Sequence, residues 1–494
     1  MARKIIVDPV TRIEGHLKIE VEVDGGKVVE ARSTGTLWRG WEIILQGRDP
    51  RDASQIAQRI CGVCPIAHAT ASVKCLDDAF GVKPPTNGRL IRNLIFGSNF
   101  IQSHLLHFFH LTALDYVKGP EVAPFVPRYE GKDFYRLDQA TNAEAVRRYL
   151  QALEMRNKAH QMLAIFGGHM PHTAGIVVGG ATEIPTVDKV TNFLWRLREL
   201  QEFVDQVYLP TVYLVASAYK DYLGVGAGCK NFLSYGVFDL DDEGSQKLFP
   251  AGVCINGQPM PFDPAKIAED VKYSWYKDET SGLHPSNGAT VPDARKSNGY
   301  TWLKAPRYEG KPLEVGPLAR VWMANPILSK HANAFLGLSP EKEVRFRDLG
   351  EAAFSVLGRH AARAEECSVI AHAMEKWLSE LKIDERSSVT VKVPQEAKGM
   401  GLTDAPRGAL GHWISIKGGK IANYQAVVPT TWNAGPRDDH GNLGPMEQAL
   451  MGTQVSDPDN PIELVRVVRS FDPCLACAIH LIDGRPERPA IRVL

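Results

Sequence analysis

Two cysteine pairs near opposite ends of the chain restrict its fold more than any other feature. Cys61-Gly62-Val63-Cys64 and Cys474-Leu475-Ala476-Cys477 are both C-x-x-C motifs, and most of the 494 residues lie between them. Two intervening residues let both sulfurs of a pair turn toward one ion. Thiolates are soft donors that suit zinc, nickel or an iron–sulfur cluster. A histidine follows each pair, His68 four residues after Cys64 and His480 three residues after Cys477, so the two arms share one design. One reading is a structural zinc site with four cysteine ligands. Such sites usually clip short loops, whereas a metal joining these two pairs would be a central site assembled by the whole fold. A thioredoxin-like redox role is another reading, but neither pair follows a clear βαβ pattern. The other four cysteines (Cys75, Cys229, Cys254 and Cys367) are singletons and are expected to be buried small hydrophobes. A chain of this length can bury a large core without disulfide staples.

Charge and hydropathy narrow the class further. Lys plus Arg and Asp plus Glu are each 57, so the formal net charge is zero, which argues against a nucleic-acid binder working through a global basic field. With 44% hydrophobic and 23% charged residues, an acidic disordered protein is excluded. The stretch from Leu94 to Leu114 carries no formal charge and is long enough to cross a bilayer. It also holds Ser98, Asn99, Gln102, Ser103, His104, His107 and His110, so a helix buried in protein is expected instead. The opening MARKIIVDP has no signal-peptide apolar run, and any export would depend on an attached partner.

Along the chain, Leu17, Ile19, Val21 and Val23 alternate with polar residues before an Asp24-Gly25-Gly26 turn, which predicts a β-hairpin returning through Val28 and Val29. Trp413, Ile414 and Ile416, then Gly418-Gly419, then 421–428 predict a second. Between them, apolar spacing of three to four predicts long helices over 89–117, 143–166, 187–222 and 346–382, with Thr186 as an N-cap. Residues 223–340 are expected to be irregular with short elements. The spacing of three in His104, His107 and His110 drifts round a helix, which favours core and hydrogen-bonding roles over a metal motif. Length alone permits about three domains. No low-complexity linker divides the chain, so the expected architecture is mixed α+β, mainly α: one body with a large helical core and peripheral β-hairpins.

The motifs Arg59-x-Cys61-Gly62-x-Cys64-x-x-x-His68 and Asp472-Pro473-Cys474-x-x-Cys477-x-x-His480 together resemble the large, catalytic subunit of nickel–iron hydrogenases. Further blocks resemble the family in its order: Arg12-Ile13-Glu14-Gly15-His16, Arg39-Gly40-Trp41-Glu42, 167–182, Ala405-Pro406-Arg407-Gly408-Ala409-Leu410 and Val428-Pro429-Thr430-Thr431-Trp432-Asn433. The likeness covers essentially the whole chain and is thinnest across 230–300. Ser103, where many relatives carry Asp, and the segment from His104 to Gly119 look most like the nickel–iron–selenium branch, in which selenocysteine takes the place of Cys474.

The resemblance implies reversible cleavage of H2 to protons and electrons at a nickel–iron centre whose iron carries CO and cyanide. Cys61 and Cys474 match terminal nickel ligands, and Cys64 and Cys477 match the bridges. Arg407 matches an arginine over the open side of the metals, Pro406 a wall of the cyanide pocket, and Thr430 a hydroxyl bonded to cyanide. Asp472 matches the carboxylate that holds the arginine, and His68 a histidine bonded to a bridging sulfur. Glu14 matches the first proton acceptor beyond the cysteine. A further magnesium or iron would take Glu42, His480 and the carbonyl of Ala426, with Glu314 orienting its waters. Implied partners are an iron–sulfur small subunit in a heterodimer, nickel-delivery factors and a maturation protease that cuts after His480. Residues 1–480 would then be one domain and 481–494 a removed extension. A periplasmic or periplasm-facing location is expected, with a cytoplasmic one as the alternative. Rival readings are a hydrogen-sensing relative, a respiratory complex I subunit of shared ancestry, which would lack the four cysteines, and a zinc-stabilised structural protein.

Overall fold

The computed structural model describes residues 2–478. Strands β1 (Arg3–Val7), β2 (Leu17–Asp24) and β3 (Lys27–Gly35) form an antiparallel sheet in that order. The predicted hairpin is therefore the β2–β3 pair, with β1 added at its edge, Ile5 facing Val21 and Val7 facing Ile19. Alternation explains the pairing, since Leu17, Ile19, Val21 and Val23 all turn into the core.

Helices fill the middle of the molecule. A short helix α1 (Trp41–Leu45) precedes α2 (Pro65–Phe80), α3 (Thr86–Leu105), α4 (Gln139–Gly167), α5 (Val187–Phe203) and α6 (Val356–Ser379). The charge-free stretch starts in α3, which is buried from Asn87 to Leu105, and runs on past its end; no described helix is long and apolar enough to cross a membrane. Two of the long helices are interrupted. After Leu105 the chain widens into a π-helical segment, Leu106–Thr112, and a second one, Val204–Tyr208, follows α5. The helix expected over 346–382 starts only at Val356. Gly350 takes φ 54° and kinks a short 3-10 segment over Phe346–Ala353, and the Ser355 hydroxyl then accepts from the Gly358 amide as a fresh N-cap. Thr186 caps α5 as its sequence indicates, accepting from the Lys189 amide at 3.4 Å.

Residues 223–340 are mostly short elements, including a small four-stranded sheet built from segments between Phe232 and Val315. The second predicted hairpin is again two strands of a three-stranded antiparallel sheet: β4 (Glu396–Ala405), β5 (Gly408–Lys417) and β6 (Lys420–Val427). Helices α7 (Ile462–Ser470) and α8 (Leu475–Ala478) return the C-terminal arm to the centre. One apolar cluster runs from Ile5 through α2, α3 and α6 to Cys477, so both chain ends share a core. Of the single cysteines, Cys75, Cys254 and Cys367 are buried, while Cys229 is partly exposed with its thiol near the Asn231 carbonyl.

Candidate metal centre

The two C-x-x-C arms meet in the middle of this core. Cys61 Sγ lies 3.4 Å from Cys474 Sγ, Cys64 Sγ 3.3 Å from Cys477 Sγ, and all four sulfurs fall within 4.8 Å of one another. All four residues are buried. Local structure aims each arm. Cys64 sits at the N-cap of α2 with Pro65 in its first turn, where the helix dipole favours a thiolate. The amides of Val63 and Cys64 lie 3.3 and 3.5 Å from Cys61 Sγ. Hydrogen bonds from the Cys474, Cys477 and Cys64 thiols hold the Cys61 thiol well below its ordinary range, whereas burial pushes Cys474 and Cys477 up.

The N-terminal arm is sewn to the C-terminal one by backbone. The Glu14 carbonyl accepts from the Leu475 amide at 2.7 Å, and the Glu14 amide donates to the Pro473 carbonyl at 3.3 Å. Gly15 makes this approach possible: it takes φ +81°, and a Cβ there would lie 2.7 Å from the Ala476 nitrogen. Glu14 Oε2 then rests 3.1 Å from Cys474 Sγ and accepts from the Ala476 amide at 2.9 Å. Burial, reinforced by the neighbouring Cys61, raises the Glu14 pKa above the ordinary carboxylate value.

Arg407 occupies the β4–β5 turn and is fully buried. It donates from Nε to the Asp472 carbonyl at 3.0 Å and from Nη2 to Asp472 Oδ1 at 2.9 Å, while Nη1 only reaches Ser103 Oγ at 3.5 Å. Burial opposes its charge, but Asp472 and the thiols of Cys474, Cys64 and Cys61 outweigh that and raise its pKa further. Asp472 adopts φ 55°, unusual for a non-glycine residue, and in this pose presents both its carbonyl and its carboxylate to the guanidinium. The Thr430 hydroxyl accepts from the Cys474 amide at 2.9 Å. Arg407, Thr430 and His68 line a small enclosed cavity against Cys64, Cys474 and Cys477. Pro406 is not one of the residues lining it; its carbonyl accepts from Arg320, which is itself locked between Glu366 and Asp404. His68 Nε2 is 3.4 Å from Cys477 Sγ, and burial lowers its pKa to about 4.

A second, larger cavity begins behind Cys477 and Ala478. Glu42, Glu269, Lys304 and Ala426 line it. Glu42 Oε1 accepts from the Ala426 amide at 3.1 Å, and its Oε2 accepts from the Thr290 hydroxyl. Glu269 pairs with Lys304 at 3.0 Å. Burial raises the Glu269 pKa against the pull of Lys304. Glu314 is not among the residues lining this cavity. It forms a buried two-pronged ion pair with Arg359, at 2.7 and 2.8 Å, and it is Glu269 and Lys304 that accompany Glu42. No local motif marks Glu269 or Lys304, because they reach the cavity from the irregular middle of the chain. His480 and the 481–494 extension lie outside the described residues. His104 at the end of α3 and His107 and His110 in the π-helical segment take separate partners: His104 bonds Glu366, His107 the Arg469 carbonyl and His110 the Tyr149 carbonyl.

Comparison with known proteins agrees with this arrangement. The family described as nickel-dependent hydrogenase matches residues 39–122 and 117–480, and a HoxL-like family matches 4–34. The chain is 52% identical to the periplasmic [NiFeSe] hydrogenase large subunit of Desulfomicrobium baculatum, over 97% of this chain and 95% of that protein. It is 37% identical to the quinone-reactive Ni/Fe-hydrogenase large chain of Wolinella succinogenes, over 98% and 97% respectively. The solved Ni-Fe-Se hydrogenase of D. vulgaris Hildenborough superposes with a TM-score of 0.95 at 54% identity, covering 97% of this chain and 100% of that one. Four converging sulfurs and a likeness spanning nearly the whole sequence make this chain a member of the nickel-dependent hydrogenase family, as its large subunit.

Proposed function

We propose that the chain performs reversible heterolytic cleavage of H2, with Cys61, Cys64, Cys474 and Cys477 holding a nickel–iron centre whose iron carries CO and cyanide. The observation that carries the reading is the placement of a buried carboxyl, Glu14, 3.1 Å from a sulfur of an all-thiol, fully buried donor set. Four sulfurs in mutual reach with no carboxylate among them fit a soft metal pair. When bound, that pair supplies the sites at which hydrogen is polarised and its electrons leave.

The protein's own residues account for proton and charge. Cys474 Sγ is the basic atom beside the cavity, and Glu14, its pKa raised by burial, is placed to take a proton from it. Arg407 holds fixed positive charge above the sulfurs, in a site that excludes water, and Asp472 keeps its fork in place. His68 would donate to the Cys477 sulfur, and the Thr430 hydroxyl, which lines the cavity with Arg407, would support a cyanide on the iron, with Pro406 next to Arg407 in the turn. Glu42, the Ala426 carbonyl and His480 would hold the further magnesium or iron. Oxygen donors with one imidazole suit such a harder ion, and the acidic cavity behind Cys477 supports that reading.

Every Cys outside the four ligands is single, so electrons leave through an iron–sulfur small subunit. Residues 1–480 form the working unit, loaded by nickel-delivery factors and trimmed after His480 by a maturation protease. The complex works in or facing the periplasm, as the name of the Desulfomicrobium relative suggests. Infrared spectroscopy and metal analysis of the purified heterodimer test the reading together. Bands of metal-bound CO and cyanide are expected, with one nickel per large subunit and iron in excess of nickel because the small subunit carries iron–sulfur clusters. Zinc in the four-cysteine site, or no such bands, refutes it, and an intact mass still ending at Leu494 in active protein refutes the trimming.

A further inference from the structure

His68 is the near end of a longer file of side chains. His68 Nδ1 lies 3.3 Å from His412 Nε2, His412 Nδ1 lies 2.7 Å from the Tyr424 hydroxyl, and that hydroxyl lies 3.0 Å from Ser72 Oγ. The four side chains come from one helix and two neighbouring strands. His68 and Ser72 are four residues apart on one face of α2. His412 sits on β5 opposite Ala426 of β6, two residues from Tyr424, so both project from the same side of the sheet. Helix and sheet touch here because Gly401, the β4 partner of His412, has no side chain; a Cβ would lie 2.1 Å from the Ala71 carbonyl oxygen.

All four residues are buried, and every ring nitrogen and hydroxyl in the file has a partner. The other buried histidines differ: His104, His107 and His110 each leave Nδ1 without a protein partner, and His360 leaves both nitrogens so. A fully satisfied file of neutral imidazoles has one N–H per ring, so fixing the proton at one end fixes every proton along it. A metal-bound thiolate at Cys477 has no proton to give. His68 must then carry its proton on Nε2, His412 must donate from Nε2 to His68 Nδ1, and Tyr424 must donate to His412 Nδ1. With Cys477 as a free thiol, the reverse order is equally complete, ending with Tyr424 donating to Ser72.

We propose that His412 and Tyr424 are positioning residues that lock His68 as a hydrogen-bond donor to the Cys477 sulfur, and that loading of the centre sets the direction of the whole file. The inference rests on the nickel–iron reading of the four-cysteine site. Its consequence is electronic. A donor held on a bridging sulfur withdraws electron density from the metals, as hydrogen bonds around metal ligands generally do.

Infrared spectra and the nickel redox titration of the purified heterodimer test it, with His412→Phe, His412→Gln and Tyr424→Phe. Phenylalanine at 412 removes the donor to His68, so the CO band is expected at lower wavenumber and the nickel midpoint potential at a more negative value, at unchanged nickel content. Glutamine can donate to His68 and accept from Tyr424 at once, and is expected to restore most of both shifts. Tyr424→Phe removes one hydroxyl with little change of volume and decides the matter if His412→Phe does not load nickel; a smaller shift in the same direction is expected. Loaded variants with wild-type bands and potential overturn the proposal. Equal shifts in the Phe and Gln variants at 412 also overturn it, because packing rather than donation would then be responsible. Absence of CO bands from the unsubstituted protein overturns the nickel–iron reading instead.

Discussion

Replacing Glu14 by Gln separates proton transfer from assembly more cleanly than any other single change. The two side chains have the same shape, and the amide oxygen can keep the bond from the Ala476 N–H, now 2.9 Å long. The same oxygen faces Cys474 Sγ at 3.1 Å, and what changes is that an amide oxygen there can accept a hydrogen bond but cannot take up a proton. Loss of a positioned acid–base group typically costs about 10²- to 10⁴-fold in rate, or roughly 3–5 kcal/mol of barrier. Stability should move the other way. The folded pKa of Glu14 is raised, so the native state holds the extra proton, and stability is lost as pH rises from the unfolded carboxylate value through the folded one. Glutamine removes that loss, so the variant should melt at the same or a higher temperature at neutral pH. The assays are dye-linked H2 oxidation, H2/D2O exchange and nickel content on one preparation. A nickel-loaded variant whose oxidation and exchange rates stay within about twofold of wild type would remove Glu14 from the proton route.

Three further outcomes follow from the geometry. Arg407→Lys should lower turnover by about 10²-fold or more with nickel retained, because one ammonium cannot span the carbonyl and carboxylate of Asp472 as the guanidinium does; near wild-type steady-state rates would contradict this. Glu314→Gln should destabilise the protein by about 3–5 kcal/mol by leaving Arg359 buried and uncompensated, while magnesium content stays unchanged; denaturant melts and metal analysis read both. Gly15→Ala should cost about 1–3 kcal/mol and lower nickel occupancy, since its Cβ must push Leu475 and Ala476 off the Cys474 arm; a variant with full nickel and an unshifted melt would contradict the crossing described above.

Much of the molecule is legible in its residues because the relevant forces are local. Strict alternation from Leu17 to Val23 specifies a strand with one buried face, and a hydroxyl at Thr186 caps the helix after it. The C-x-x-C spacing specifies paired sulfurs, and burial of the polar but charge-free stretch from Leu94 follows from its composition. Local signals were less informative where partners are distant. Strand β1 has too few residues to show alternation clearly and exists because β2 offers it an edge. The apolar periodicity over 346–382 runs through Gly350, which breaks the helix by its backbone conformation. Glu314 sits beside a family-like segment but is claimed by Arg359, a residue its own neighbourhood does not announce.

The chemistry of the centre is thus a property of the sequence: four thiols, a glutamate, an arginine and a histidine, each with its side-chain chemistry settled before folding. Their distances are not. Cys61 meets Cys474 only because the strand-like crossing of residues 14 and 474 carries one end of the chain across the other. Glu14 becomes a base of raised pKa only through burial, and His68 gains its file only because Gly401 lets α2 lie on the sheet. Residue types set which bonds are possible. Tertiary packing alone decides which of them form, because it removes water and brings together groups that sequence holds hundreds of residues apart.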